Sequence, residues 1–484
     1  TGVQNTLMGS RAGDALTDAD YNVAIGNEAL STDTLGSRNT AVGYVALANQ
    51  NFTTATDSQN TAVGFYAGNA ITTGIQNTLI GSECGDALTD ADYNVAVGRN
   101  TLSTDTLGSK TTAIGFQALA NQNFTTATDS YNTAVGYNAG VAITTGVENV
   151  IIGGLAGDHI TDADHNIAIG VQTLGTNTVG SKNIAIGTQA LLTMNPSTAS
   201  DVNNIAIGYR SQRFTTTGNE NITIGLSTGT AFTTGNKNVA IGHEALATGT
   251  TYDGNVAIGH SALKLADNTT GSDGNNVAVG SSAGAAVTTG LRNVLIGVSC
   301  AETLRTGGGN VMLGQGTDVS AAAAENQITI GQQIACDQDS QVTIGKASNV
   351  IKNEFDTDAT WTRSSDVRKK KNIENSTLGL DFVNDLRTVT FEWKPNNEFP
   401  KDFAEYSEEN HMTTGVTMHG MIAQEVKSAL DTQNVDTFGG WKEDNDGSQR
   451  IAQEMFIYPL IKAVQELSAQ VDTLKAEIKE LKDE

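Results

Sequence analysis

The sequence predicts a mainly β protein, in which a long parallel β-solenoid precedes a small α+β module that ends in a helix. The first observation is a five-residue motif (Asn, β-branched, small, aliphatic, Gly) that recurs twenty times, with Asn first in seventeen copies. The second is the spacing, because three intervals of 17 residues and one of 21 make a 72-residue super-repeat. The third is the end of the repeat at Gly345, after which apolar residues follow ordinary helix and strand periods.

Each copy of the motif predicts one strand. The residue three before the repeat glycine is Thr, Val or Ile in all twenty copies, and the residue directly before it is Ile, Val, Leu or Met. In residues 94–98, Val95 and Val97 therefore share one face, while the Asn and Ala share the other. One strand per coil, stacked in register, gives a parallel solenoid. The stacked asparagines predict an amide ladder, and the glycines predict a tight turn after each strand.

Charge excludes several classes of protein. The chain has 28 basic and 53 acidic residues, and the segments before and after residue 350 are both acidic. This balance disfavours nonspecific binding to nucleic acid or to an anionic membrane. No run of 18 apolar residues is present, so we expect no membrane insertion. The first residue is not Met, and we expect a further N-terminal segment that attaches the protein to its particle.

The three cysteines do not have the spacing of a metal or redox site. Cys84 and Cys300 lie three super-repeats apart, three residues after a repeat glycine, where other coils have Ala. We therefore predict that they are small buried residues that replace alanine. The third is Cys336, and no cofactor is expected.

A repeated acidic turn and six histidines were weighed as metal ligands. In the first TDAD turn, Asp18, Asp20 and Asn22 resemble the start of a calcium loop, but the following Gly and the distal Glu are absent. A polar turn is the better interpretation. His159 and His165 flank the third such turn without a further partner, and the other histidines are scattered along the sequence. No metal site is expected.

The four 21-residue coils carry inserted loops at equivalent places. We expect these loops to project from the solenoid about every 19 Å. Receptor contact is one interpretation, because loops on a rigid scaffold often carry binding. A spacer without a binding role is the other. The loops are residues 48–59, 120–131, 192–203 and 264–275.

The segment after Gly345 is predicted to contain a neck or linker over 346–364 and a separate domain over 365–484. Helical spacing is found in 377–387 and 423–430, and strand patterns in 389–393 and 418–422. A final helix over 460–482 has a heptad seam with Val or Ile at a and Leu at d, which is typical of a coiled coil. The alternative is an amphipathic helix packed on its own domain. The seam residues are Leu460, Val464, Leu467, Val471, Leu474, Ile478 and Leu481.

The repeat resembles the head of trimeric autotransporter adhesins over residues 1–345, although its coils are longer than usual for that family. The resemblance implies a left-handed β-roll in a homotrimer. Taken alone, the heptad residues lean towards a dimer.

The segment SDVRKKKNI (365–373) resembles the motif that begins the endosialidase-type C-terminal intramolecular chaperone of phage tail fibres and tailspikes. Three later segments agree with that family: GLDFV with TFEWK, GMIAQEV, and IKAVQEL. The segment differs at Lys369, where the family usually has Leu.

The resemblance implies a self-cleaving serine peptidase domain. Ser365 would be the nucleophile and Lys370 its base, with the cut between Ser365 and Asp366. Supporting residues would be Arg368, Asn372, Gln424 and Glu425. A serine hydroxyl needs an adjacent base, and a lysine acts as one only in its neutral form, which burial and nearby cations favour. The alternative is a retained fold without cleavage.

The sequence as a whole favours a homotrimeric phage tail fibre or receptor-binding protein in the virion, assembled in the host cytoplasm. Its expected partners are a host surface receptor, either a glycan or an outer-membrane component, and other tail proteins. Its only catalysis would be a single self-cleavage. One alternative is a bacterial trimeric surface adhesin, and another is a polysaccharide-degrading tailspike.

Overall fold

The computed structural model describes residues 2–267, 273–355, 365–403, 405–410, 412 and 414–483. The chain forms two compact units, Thr1–Arg363 and Ser364–Glu484. No helix in the described ranges is long and apolar enough to cross a membrane.

The first unit is a parallel β-solenoid, which confirms the predicted fold class. Among the described residues, twenty short strands stack in sequence order and pair in parallel with the residue-for-residue register that the repeat predicts, as between Thr40 and Thr61. The strands are Thr6–Met8, Val23–Ile25, Thr40–Val42, Thr61–Val63, Thr78–Ile80, Val95–Val97, Thr112–Ile114, Thr133–Val135, Val150–Ile152, Ile167–Ile169, Ile184–Ile186, Ile205–Ile207, Ile222–Ile224, Val239–Ile241, Val256–Ile258, Val277–Val279, Val294–Ile296, Val311–Leu313, Ile328–Gln332 and Gln341–Lys346.

The small residue of each motif faces the interior of the coil. Ala24, Ala41 and Ala62 have no exposed surface, whereas the β-branched and aliphatic residues on either side are half-buried or exposed. Larger apolar residues that follow the strands, among them Leu30, Leu47 and Ile71, are also fully buried and fill the interior together with the alanines. The solenoid therefore has a core of alanine and larger apolar side chains, and an outer stripe of Thr, Val and Ile along its strands.

The buried asparagines form the predicted ladder. Asn22 Oδ1 accepts hydrogen bonds from Asn39 N and Nδ2 at 2.8 and 3.1 Å, and Asn39 Oδ1 accepts from Asn60 N at 2.9 Å. Each amide also reaches across its own coil, as when Asn22 Nδ2 donates to Gly36 O at 3.0 Å. The ladder thus satisfies backbone and side-chain groups that have no access to water.

The repeat glycines are needed both for their backbone angle and for close packing. Gly43 has φ +141°, and a Cβ at this position would lie 2.1 Å from the carbonyl oxygen of Gly64 in the next coil. No L-residue combines this angle with that contact at low cost.

The inserted loops are tied to the solenoid by short parallel strand pairs. Gly36–Ser37 pairs with Thr56–Asp57, Gly108–Ser109 with Thr128–Asp129, and Gly180–Ser181 with Ser200–Asp201. The fourth loop has a single bridge between Asp253 and Asp273, and its residues 268–272 lie outside the described part of the chain.

The last coil is closed by a hairpin. Within the segment predicted as neck or linker, Asn349–Glu354 forms a strand that pairs antiparallel with Gln341–Lys346. This strand covers the edge that the twentieth coil would otherwise leave open. Residues 356–364 lie outside the described residues.

The second unit is a small α+β module. Its helices are α1 (Leu380–Asp385), α2 (Ala423–Thr432) and α3 (Ile457–Asp483). Val389–Phe391 pairs antiparallel with Met418–Gly420, and Trp441–Glu443 with Gln449–Ile451. The second of these hairpins has no counterpart among the sequence predictions.

The core of the module is small and partly aromatic. Phe382 of α1 is fully buried among residues of α2, including Val426 and Leu430. Phe438 and Phe456 pack edge to face at 5.3 Å, and both contact Phe382.

Helix α3 does not bury its heptad seam against its own unit. It contacts the unit through Pro459 and Ala463, which are buried, and through Glu466, whose Oε2 accepts a hydrogen bond from Leu380 N at 2.7 Å. The seven seam residues are all exposed, between 41 and 72% of their surface. The alternative of an amphipathic helix packed on its own domain therefore does not describe this seam.

The cysteines are buried, as predicted for Cys84 and Cys300. Both have no exposed surface, Cys336 is 3% exposed, and all three are free thiols. Burial raises the pKa of Cys84 to about 12 and that of Cys300 to about 11. At neutral pH these two thiols are therefore protonated and buried, as expected for packing residues.

Candidate functional site

The structure brings Ser365 and Lys370 together. Lys370 Nζ lies 2.7 Å from Ser365 Oγ and donates a hydrogen bond to it. The two residues are five positions apart, and the turn between them contains a short 3₁₀ helix, Val367–Lys369. This is the distance at which an amine, once neutral, accepts the proton of a serine hydroxyl.

Asp366 organises the turn. Its Oδ1 caps the short helix by accepting from Arg368 N at 2.9 Å, and its carboxylate also receives the Arg368 guanidinium, with Nη2 to Oδ2 at 2.6 Å. Hydrogen bonds from the Arg368 side chain and then from its backbone lower the pKa of Asp366 to about 2. Asp366, which follows the predicted cleavage site, is therefore ionised at neutral pH, and its side chain is fixed by Arg368.

The basic residues of this segment have different surroundings. Arg368 is paired with Asp366, so it contributes little positive charge to Lys370. Ser365 and Lys370 are both exposed in the single chain. The burial that would favour a neutral lysine is therefore not supplied by the module itself.

The other supporting residues lie apart from the pair. Asn372 takes a left-handed backbone conformation, φ +53°, two residues after Lys370. Gln424 and Glu425 lie at the start of α2, and Glu425 binds the guanidinium of Arg387, with Nε to Oε2 at 3.0 Å. Among the described residues, no hydrogen bond or ion pair joins Gln424 or Glu425 to Ser365 or Lys370.

The module also has a cleft that sequence reasoning did not assign. It has a volume of about 710 Å³, and its lining includes Arg387, Trp393, Gln424 and Gln453. Trp393 is 46% exposed and meets Phe391 edge to face at 5.3 Å. Phe391 and Trp393 were recognised in the sequence as a strand pattern and as part of the TFEWK segment, but not as the lining of a cleft.

The loops of the solenoid form a second group of candidates. In each of the first two loops, a buried aspartate holds the base of the loop by the same set of hydrogen bonds. Asp33 accepts from Gly36 N and Phe52 N at 3.0 and 3.2 Å and from Gln50 Nε2 at 2.6 Å. Asp105 makes the same three contacts in the next super-repeat. The chain segments that lead into the exposed tips of these two loops are therefore held by buried hydrogen bonds.

The acidic turns bind backbone rather than converging on a common point. Asp20 Oδ1 accepts from Val3 N at 2.6 Å, and Asp92 Oδ1 accepts from Ile75 N at 2.7 Å. No group of three or more His, Cys, Asp or Glu side chains in the described ranges could hold a metal ion. The TDAD segments are thus polar turns, as predicted.

Comparison with known families places the module. Residues 365–434 match the model of the family described as chaperone of endosialidase, and this match together with the solenoid fits a phage tail fibre with a chaperone domain. No curated protein and no solved structure matches the chain.

Proposed function

We propose that this chain is a homotrimeric phage tail-fibre or receptor-binding protein whose C-terminal module directs assembly and then cleaves itself off between Ser365 and Asp366. The observation that carries the assembly role is the exposed seam of α3, seven apolar residues that α3 presents away from its own unit. Apolar seams of this kind are buried when copies of a helix associate.

The outer stripe of the solenoid also supports association with further copies of the chain. Its aliphatic residues are half-buried or exposed in every coil, and the exposed ones include Ile80 at 39% and Ile330 at 37%. A stripe that repeats with every coil is covered most simply by an identical stripe on another copy, because the spacing matches at every step. Long stacked repeats also risk errors of register, and a module that associates first would set that register.

The cleavage would use the contact between Ser365 and Lys370. Lys370 Nζ takes the proton of Ser365 Oγ, the oxygen bonds to a carbonyl carbon, and the peptide bond to Asp366 breaks as its nitrogen is protonated. Water then hydrolyses the ester and restores the hydroxyl. Assembly would help by covering the exposed lysine, which favours its neutral form.

Two routes to the ester can be drawn. Attack by Ser365 Oγ on the carbonyl of its own residue closes a four-membered lactone ring. Attack on the corresponding bond of a second copy forms an ordinary ester. Co-expression of a tagged Ser365→Ala chain with the wild-type chain distinguishes them, because only attack between copies cuts the tagged chain.

Receptor contact is proposed for the loops of the solenoid. The tips of the first two loops are exposed over Thr53–Ala55 and Thr125–Ala127, and both start from the buried aspartate anchor. The partners would be a glycan or an outer-membrane component of the host and other tail proteins. The site of action would be the virion, after assembly in the host cytoplasm.

Intact mass tests the cleavage. Wild-type chain should lose about 13 kDa, the mass of the roughly 119 residues from 366 to 484, and Ser365→Ala should stay whole. Equal masses would remove Ser365 from its role. Light scattering on the same samples tests the trimer, and a monomeric shaft would contradict the assembly proposal.

Two alternatives have their own observations. A bacterial trimeric adhesin would use the same solenoid, and isolation of this chain from a bacterial envelope rather than from virions would favour it. A polysaccharide-degrading tailspike is favoured only if the purified solenoid releases reducing ends from a host glycan.

A further inference from the structure

The position directly after each repeat glycine brings side chains of successive coils into contact. At this position Tyr44 stacks on Phe65 with ring centroids 5.4 Å apart, and Phe116 on Tyr137 at 5.5 Å. Further along, Gln332 Nε2 donates to Gln315 Oε1 at 3.1 Å. The solenoid thus places such side chains of successive coils as direct neighbours, although they are 14 or more residues apart in sequence.

Two of the histidines occupy this position in successive coils. His243 follows Gly242 and His260 follows Gly259, and their imidazole centroids lie 5.2 Å apart with the rings tilted by 40°. Both side chains are exposed, so solvent and ions reach the ring nitrogens. The expectation that the histidines are scattered is therefore wrong for this pair.

The spacing suits shared coordination of one metal ion. In a tetrahedral site, metal–nitrogen bonds of about 2.0–2.1 Å put the centroids of two bound imidazoles roughly 5 Å apart. Rotation about the last side-chain torsion of histidine is broad, so the nitrogens can turn towards a common ion while the backbone stays fixed.

We propose that His243 and His260 form a binding site for one divalent transition-metal ion, with water completing the coordination. Imidazole ligands suit Cu²⁺, Ni²⁺ and Zn²⁺, whereas Ca²⁺ and Mg²⁺ prefer oxygen. The ion joins two neighbouring coils, and its affinity follows the order Cu²⁺ above Ni²⁺ and Zn²⁺.

Titration calorimetry with the chloride salts of Cu²⁺, Ni²⁺ and Zn²⁺, on the purified chain in a buffer that does not bind metal, tests the site. His243→Ala and His260→Ala should each weaken metal binding by about tenfold or more, because the ion is then bound by one imidazole instead of by two at once. His165→Ala is the matched control, since His165 lies beside Glu148 instead of a second histidine. It should bind as wild type does.

Thermal unfolding gives a second readout that does not depend on calorimetry. An ion bound to the folded chain alone raises the melting temperature, so Ni²⁺ should raise that of wild type and of His165→Ala, and leave His243→Ala unchanged. Circular dichroism of each variant without metal checks that the solenoid is folded. Equal metal affinity in His243→Ala and wild type, or equal loss in His165→Ala, would overturn the proposal.

Discussion

A charge placed in the α3 seam should prevent assembly. We consider Leu467→Asp in a Ser365→Ala background, so that the module stays attached. Leu467 is 50% exposed in the single chain. Ala469→Asp is the control, because Ala469 is exposed on the same helix outside the seam and receives the same new charge.

The size of the effect follows from the exposed fraction. Full burial of a leucine side chain contributes about 1.5–3 kcal/mol, so burial of the remaining half contributes about 1 kcal/mol per copy. Three copies give about 3 kcal/mol, which is roughly a hundredfold in the association constant. Three carboxylates brought together in an apolar seam add a desolvation and repulsion cost of several kcal/mol. The expected loss is therefore well above a hundredfold.

Sedimentation velocity at a series of micromolar concentrations measures this directly. The parent and Ala469→Asp should sediment as one assembled species, and its mass also separates a trimer from a dimer. Leu467→Asp should sediment as single chains or as irregular aggregates. If Leu467→Asp and Ala469→Asp assemble alike, the seam is not the contact between copies and the reasoning fails.

Three further outcomes are expected. Lys370→Met should abolish cleavage in intact-mass analysis, because the hydroxyl of Ser365 loses the amine that contacts it, whereas Lys371→Met should still be cut; cleavage of the first variant would exclude the lysine as base. Asn39→Ala should lower the free energy of unfolding by about 1–3 kcal/mol, since Asn60 N loses its acceptor in a buried site and Ser58 Oγ is left with its bond to Ser37 O, and an unchanged denaturation curve would contradict the ladder's role. A thiol reagent at pH 8 should label Cys84, Cys300 and Cys336 slowly in the native chain and all three quickly after denaturation. Burial keeps all three thiols from the reagent, and raised pKa values keep Cys84 and Cys300 protonated. Fast labelling of the native chain would refute this.

The solenoid was predictable because one period repeats so often. The β-branched residues and glycines place every strand, and the structure has twenty parallel strands in that register. The paired strands at the loops, such as Thr56–Asp57, were not predicted, because two residues are too few for a periodic signal. The contact between His243 and His260 was missed for another reason: it joins equivalent positions of two coils and has no local signature.

The module was predicted less completely. Helices α2 and α3 were found near their observed bounds because their apolar spacing covers several turns. Helix α1 is shorter than the 377–387 segment, since it starts only at Leu380 and Leu386 is already extended. The Ser365–Lys370 contact was expected from a resemblance alone. The ion pair between Arg387 and Glu425 was not predicted, because these residues lie 38 positions apart in the sequence.

Most contacts within the solenoid join neighbouring coils, and this has a consequence for how the protein can vary. Because every fourth coil restores the same loop and the same register, removal or duplication of a 72-residue unit leaves each remaining coil with neighbours of the kind it already has. The length of the shaft can therefore change without a change in the contacts that stabilise each coil, and the length changes in steps of about 19 Å. Gain or loss of whole 72-residue units would therefore change the length of the shaft without requiring a new contact between coils.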